Sequence, residues 1–304
     1  MRFIAVLNRD GGTLRTMDLD DFCDTARDIF ERHGHELRCE IVAGCDVETA
    51  LRKAAKADGV DAVLAGGGDG TISTAASIAF ETGRPLGVLP AGTMNLFARA
   101  LKMPLTLSEA IEVLAVGEVG LVDIATANDR TFVHQFSVGI HARLVRIREN
   151  MTYRSRIGKM LASLRAIGAA AVNPPQFDVE LRTSTGIEKR RVSGITISNN
   201  PLGDRQIFAV GLNSGMLGVY VAAPLTTSAL LRLAMDVLLG NWRDSAMVSE
   251  TEVAEMTLHF PKRKRGAHAV IDGELINLDR SVTLKVHPGG LKVILPKNAE
   301  ISVI

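Results

Sequence analysis

The run Val60-Asp61-Ala62-Val63-Leu64-Ala65 leads straight into Gly66-Gly67-Gly68-Asp69-Gly70-Thr71, and a helical pattern starts at Thr71-Ile72-Ser73-Thr74-Ala75-Ala76. A short run that is apolar apart from one acid suits a strand covered on both faces, so strand, glycine turn and helix start fall in series. Glycines leave backbone N–H groups open to an anion, and the helix N-terminus behind them adds partial positive charge. The turn therefore reads as a cradle for nucleotide phosphate. Asp69 inside it would repel phosphate unless a cation lay between them, which points to magnesium-dependent chemistry. Tight strand-to-helix turns also use glycine for steric reasons alone, and this one matches neither GxGxxG nor GxxxxGK[ST]. A second strand-to-turn-to-helix passage, Pro90-Ala91-Gly92-Thr93-Met94-Asn95, favours the phosphate reading, because two donor-rich turns side by side can hold base, ribose and polyphosphate together.

Around this motif the first part of the chain alternates strand and helix. Strands are expected at Arg2 to Leu7, Glu36 to Val42 and Pro85 to Leu89, and helices at Leu19 to His33, Val47 to Ala57 and Leu107 to Val116. Such alternation implies a doubly wound, mostly parallel sheet whose ligands gather at the carboxyl ends of its strands. The turns Asn8 to Gly12, Gly66 to Thr71 and Pro90 to Asn95 then share one edge. Beyond them β-like segments dominate: Leu121 to Ala127, Thr131 to Ser137, Glu188 to Ser198, Gly218 to Ala222, Val253 to Phe260 and Ala267 to Ile271. Ser281 to Val286 and Leu291 to Leu295 read as two more strands around Pro288-Gly289-Gly290. The expected fold class is α/β plus β: a parallel-sheet nucleotide domain over residues 1–125 and an antiparallel, β-rich domain over 126–290, with the chain end near 291–304 returning to the first.

Composition narrows the partners. Lysine and arginine total 35 against 34 acids, a net charge of +1, so no basic field argues for nucleic acid. Cys23, Cys39 and Cys45 are odd in number and lack CxxC spacing, which indicates neither a disulfide framework nor zinc and fits a reducing cytoplasm. The opening Met1 to Leu7 reads as a strand rather than a signal peptide, and no apolar run reaches membrane-spanning length.

Three motifs in order carry a resemblance. Gly67-Gly68-Asp69-Gly70-Thr71, then Leu89 to Arg99 (LPAGTMNLFAR), then Ile271-Asp272-Gly273-Glu274 resemble the diacylglycerol kinase catalytic-domain family, which includes bacterial lipid kinases and sphingosine kinase-like enzymes. Asn8 matches the family's asparagine after the first strand, and Gly215 to Tyr220 resembles its second-domain hairpin. The resemblance implies that ATP and a lipid meet in a cleft between the domains. Asn8, Gly67, Gly68, Asp69, Gly70, Thr71, Gly92, Thr93 and Asn95 would then bind nucleotide, Asp69 and Asp123 would serve a Mg2+ network, and Asp69 and Glu274 would be catalytic. Glu274 would take the proton of the acceptor hydroxyl or orient that hydroxyl. The plainer reading of Asp272-Gly273-Glu274 is a hairpin turn, since Asp-Gly is a strong hairpin signal. Asp123, interrupting an apolar run, is either a strand-end acid facing solvent or a buried functional one.

Two departures qualify the resemblance. Many diacylglycerol kinases carry an aspartate where this chain has Leu96, which puts diacylglycerol itself in doubt as the substrate. Asn213-Ser214 stand where some relatives place an acid for a structural metal, and no such site is expected. An NAD kinase-like enzyme shares the Gly-Asp-Gly motif, but Gly92 to Arg99 and Asp272 to Glu274 fit lipid kinases better. A lipid- or nucleotide-binding regulator with degenerate catalysis is the alternative from another class.

The remaining features read two ways. Ala142 to Val172 carries Arg143, Arg146, Arg148, Arg154, Arg156, Lys159 and Arg165 against Glu149 alone. It is either the solvated face of helices that point Met160, Leu161, Leu164 and Ile167 at a core, or a patch for anionic headgroups at a membrane surface visited by a cytoplasmic, peripheral enzyme. Pro261-Lys262-Arg263-Lys264-Arg265 reads as an exposed hairpin tip. Leu230, Leu231, Ala234, Val237 and Leu238 read as a core-facing helix stripe, and His134, His141 and His268 as structural or solvent-facing.

Overall fold

In the computed structural model, which describes residues 1–149, 173–206 and 208–297, two sheets organise the chain. The first four strands, β1 (Arg2–Asn8), β2 (Glu36–Val42), β3 (Ala62–Gly67) and β4 (Leu86–Pro90), are parallel in the order β2-β1-β3-β4. Every residue of β3 is buried, as a central parallel strand requires. The helices α1 (Leu19–Arg32), α2 (Val47–Lys56), α3 (Asp69–Thr82), α4 (Leu96–Ala100) and α5 (Leu107–Val116) complete the α/β part. Helix α1 shows how local signals agree. Asp18 caps it by accepting from the amides of Asp20 and Asp21, and Phe22, Cys23, Ala26, Ile29 and Phe30 line its buried face.

The same sheet continues into antiparallel pairing. Strand β5 (Glu118–Ala127) pairs with β6 (Arg130–Phe132) and with the last described strand, β16 (Ser281–Leu295). Strand β16 lies beside β4 at Val293 and, through its other half, beside β13 (Glu255–His259), which in turn pairs with β8 (Phe177–Thr183) and β8 with β9 (Gly186–Val192). The second sheet is wholly antiparallel, ordered β12 (Val248–Val253), β11 (Leu217–Ala222), β10 (Gly194–Asn199), β7 (Gln135–Gly139), β14 (His268–Ile271) and β15 (Glu274–Asn277). Apolar residues of both sheets, among them Phe136, Ile197, Val219, Leu258 and Leu284, meet in one core, so the antiparallel wing of the first sheet packs on the second. The α/β-plus-β class expected from the sequence is the class found.

Several segments depart from their sequence reading for visible reasons. The run 131–137 breaks into β6 and β7 because the amides of Val133, His134 and Gln135 turn to the Asp272 carboxylate instead of a neighbouring strand. The run 188–198 is also two strands, β9 in the first sheet and β10 in the second, and the run 253–260 divides likewise between β12 and β13. Ser281 to Leu295 is one strand, not a hairpin. Gly289, at φ +60°, sits in a bulge between His287 and Leu291, after which β16 resumes its pairing with β5. The segment Pro261 to Arg265 is exposed but joins strands of different sheets rather than tipping a hairpin. Helix α6 (Ile140–Glu149) opens the arginine-rich stretch, whose continuation, including Met160, Leu161, Leu164 and Ile167, lies outside the described residues. The stripe read as core on α7 (Thr227–Leu238) is only partly so: Leu230 is buried and Ala234 half-buried, whereas Leu231, Val237 and Leu238 are exposed.

Candidate active site

Three turns meet at the carboxyl edge of the parallel strands. The glycine turn is shorter than its sequence implies, since β3 runs through Gly67 and α3 begins at Asp69, with Gly68 as N-cap. Its neighbours leave no room for side chains. A Cβ on Gly67 would stand 2.5 Å from Thr71 Oγ1, and one on Gly92 would stand 2.8 Å from both Gly68 Cα and Asn95 Oδ1. Gly12, at φ +39°, would drive a Cβ into the Ala91 carbonyl, and Thr13 N–H already donates to that oxygen at 2.9 Å. Substituting Gly92 by alanine should therefore spread the two turns. The expected result is a stability loss of about 1–3 kcal/mol, read by urea unfolding.

Side chains lock this arrangement. Asn8 Nδ2 donates to Thr71 Oγ1 at 3.1 Å, and Asn8 Oδ1 accepts from Asp10 N–H at 3.0 Å. Asn95, in the left-handed region at φ 50°, closes its own turn by accepting from Gly92 N–H and donating to Gly92 O. Asp69 spans the turns: Oδ1 accepts from Leu96 N–H at 2.7 Å and Oδ2 from Asn95 N–H at 3.1 Å. The acid that looked out of place beside phosphate thus caps α4, and Leu96 contributes its amide to that cap. A carboxylate oxygen has two lone-pair directions, so each oxygen of Asp69 keeps one for another ligand. Thr93 is exposed at the mouth.

The second domain reaches this edge through one hairpin. Asp272 and Gly273, at φ 46° and 91°, form the two-residue turn between β14 and β15, with Ile271 opposite Glu274. Asp272 accepts four hydrogen bonds: from Ser73 Oγ on α3 at 2.7 Å and from the amides of Val133, His134 and Gln135 at 2.9, 3.0 and 2.9 Å. It thereby fastens the hairpin to α3. Glu274 follows, exposed, with Oε1 3.2 Å from the point a Cβ on Gly70 would occupy. The tripeptide is a hairpin turn, and it carries Glu274 over the N-terminal turn of α3. His134 is half-buried nearby. Burial holds its imidazole below the ordinary range, opposed by the carboxylates of Asp272 and Asp69.

Asp123 is placed differently. It is 1% exposed, with Oδ2 accepting from Gly215 N–H at 2.7 Å and Oδ1 from Gly289 N–H at 2.9 Å. Its own amide donates to Leu212 O, so it ties β5 to the loop before β11 and to the bulge of β16. The structure brings together Asn8, Gly67, Gly68, Asp69, Gly70, Thr71, Gly92, Asn95 and Glu274, and no hydrogen bond joins Asp123 to them. Among the described residues no group of three or more histidine, cysteine or acidic side chains is arranged to hold a metal. Sequence reasoning missed the anchoring roles of Ser73 and Asp272, for which the Asp-Gly dipeptide was the available signal.

Glycine turns thus stack at the N-terminus of α3, with an acid brought over them by the hairpin of the second sheet. Residues 2–127 match the family model described as the diacylglycerol kinase catalytic domain. An uncharacterised Synechocystis protein is 27% identical over 254 residues, 79% of this chain but only 56% of its own length, so the chain spans about half of that relative. The diacylglycerol kinase of Bacillus subtilis is 24% identical over 83% of this chain and 86% of its own. A solved structure from Bacillus anthracis str. Sterne has a TM-score of 0.74 at 18% identity, covering 97% of both chains. A second from that strain, described as a diacylglycerol kinase, has a TM-score of 0.68 at 14% identity and the same coverage. At these identities the structural likeness concerns the fold.

Proposed function

We propose that the protein is an ATP- and Mg2+-dependent kinase that transfers the γ-phosphate to the hydroxyl of a lipid. The observation that carries this reading is the position of Glu274, delivered from the second domain to the first turn of α3 beside Gly70. Phosphoryl transfer needs charge neutralised on the phosphates, an aligned acceptor and a destination for the acceptor proton. The amides of Gly68, Asp69 and Gly70 at the start of α3 would bind phosphate oxygens, and Asn8, Thr71, Gly92, Thr93 and Asn95 would line the nucleotide side. Asp69 would hold the cation, because its oxygens keep free lone pairs and magnesium is commonly bound by one or two carboxylates together with substrate phosphates. The cation would supply charge neutralisation. Asp123, its oxygens taken by Gly215 and Gly289, would support this network from behind by fixing the loops of the second domain.

Glu274 would accept the hydroxyl proton as the acceptor oxygen bonds to phosphorus and ADP leaves. The enzyme would work at the surface of the membrane that holds its substrate, and no helix among the described residues is long and apolar enough to cross a bilayer. Incubation with γ-labelled ATP and a panel of diacylglycerols, sphingoid bases and other hydroxylated lipids, with NAD as a control acceptor, tests this reading. The expected product is a lipid heavier by one phosphoryl group. ATP consumption that ignores added lipid, or label appearing in NADP, would refute it.

A further inference from the structure

We infer that Asn8 positions a phosphate donor and does not itself bind the nucleotide. It holds the Thr71 oxygen as an acceptor, which leaves the Thr71 hydroxyl hydrogen for a phosphate oxygen. The inference rests on the kinase reading for its ligand and divides the work among residues of that site. Strand β1 lies between β2 and β3, so successive connections land on opposite sides of it. Ligands of open α/β sheets bind outside the carboxyl ends of the strands at such a point. The hydrogen bond between Asn8 and Thr71 spans it, joining the loop after β1 to the first turn of α3.

The direction of that bond follows from the partners at both ends. The Asn8 amide has one accepting and one donating atom. Asp10 N–H donates to Oδ1 at 3.0 Å, so Nδ2 is the end that faces Thr71 Oγ1, at 3.1 Å. Asp10 is itself held, because its Oδ2 accepts from Gly44 N–H at 2.8 Å in the turn after β2. At the other end, a helical threonine can spend its hydrogen on the carbonyl one turn back, as Thr74 does on Gly70 O and Thr82 on Ile78 O. For Thr71 that carbonyl is Gly67 O, which instead takes the Ala91 N–H at 2.9 Å. Among the described residues, the bond accepted from Asn8 is the one hydrogen bond of the Thr71 side chain. A hydroxyl has one hydrogen and two lone pairs. With a lone pair engaged by Asn8 and no carbonyl taking the hydrogen, the O–H is left for the cradle at Gly68, Asp69 and Gly70. An ionised phosphate oxygen only accepts, so it requires this polarity.

Calorimetric titration of the full-length chain with MgATP tests this on the wild type, T71S, T71V, N8A and N8A/T71V. T71V keeps the shape and removes the hydroxyl, and it should weaken binding about 10- to 100-fold, the effect of losing a hydrogen bond to a charged group. T71S keeps the hydroxyl and should bind within about threefold of the wild type. N8A should weaken binding about 3- to 10-fold by itself, because the hydroxyl is then free to turn, and by less than about twofold when added to T71V. A residue that touches the nucleotide, or one that only holds the loop, weakens binding equally in both backgrounds, and that outcome overturns the inference. So does a T71V variant that binds like the wild type, or a wild type that binds no MgATP. If N8A has a lowered urea midpoint, Asn8→Ser, whose hydroxyl can still accept from Asp10 N–H, is read by the same comparison. Should MgATP bind with the expected pattern while no lipid is phosphorylated, the roles of Asn8 and Thr71 stand and the lipid-kinase reading falls.

Discussion

Replacing Glu274 by alanine is expected to lower turnover by about 10²- to 10⁴-fold while leaving ATP affinity nearly unchanged, the range typical for loss of a positioned general base. The affinity expectation follows from where Glu274 stands. It belongs to β15 of the second sheet and is exposed, and none of the hydrogen bonds that shape the nucleotide turns involves it. Its carboxylate faces Gly70 at the N-terminus of α3, where an acid is also favoured by the helix dipole alone. The two roles make opposite predictions. A helix partner that is removed costs stability and leaves chemistry intact, whereas a proton acceptor that is removed stops turnover in a folded enzyme. Single-turnover kinetics on the variant, together with its urea midpoint, separates them. Near-normal turnover would remove Glu274 from the reaction.

Asp272→Ala is expected to cost about 3–5 kcal/mol of stability and to lower the turnover of the folded protein by no more than Glu274→Ala does. Its carboxylate accepts from the Ser73 hydroxyl and from three successive amides, those of Val133, His134 and Gln135. Hydrogen bonds to a charged group are each worth about 1.5–3 kcal/mol and are not additive within one network, which sets the total well below four times that. Asp272→Asn should fall between. An amide nitrogen in place of Oδ2 can donate to Ser73 Oγ, reversing that bond, but then presents a donor to the Val133 N–H, which faces the same atom. Activity should track stability only in part, because Asp272 also fixes the hairpin that carries Glu274. In turnover, the double variant D272A/E274A should be no worse than E274A alone, and a fully additive loss would show that Asp272 acts on the chemistry by another route. Urea unfolding and steady-state kinetics on the four proteins provide the comparison.

Local signals made much of this fold legible. Strand β2 and helix α5 have the bounds their patterns predict, and β3, the glycine turn and α3 follow in the expected order. These are elements whose residues satisfy one another nearby, through periodicity, capping and short turns. Where reading failed, the missing partner was distant in sequence. The break between β6 and β7 comes from Asp272, more than a hundred residues on. The bulge in β16 comes with Gly289 donating to Asp123. The exposed face of α7 looked like core because apolar spacing records that a stripe exists and not what covers it.

The same division runs through the site. The glycine turns at 66–70 and 92 and the acid at 69 stood out by residue type and spacing, whereas Glu274 was singled out only by the resemblance of its motif. Which acid does what was not identifiable that way. Asp69 caps α4 through the amides of Asn95 and Leu96, Asp123 is sealed between Gly215 and Gly289, and Asp272 rather than its neighbour Glu274 fastens the two domains. By itself the sequence determined the α/β-plus-β class and which residues stand in the turns at the carboxyl ends of the parallel strands. The tertiary structure decided which donors Asp69, Asp123 and Asp272 each face, because those donors arrive from strands and loops that only folding brings together.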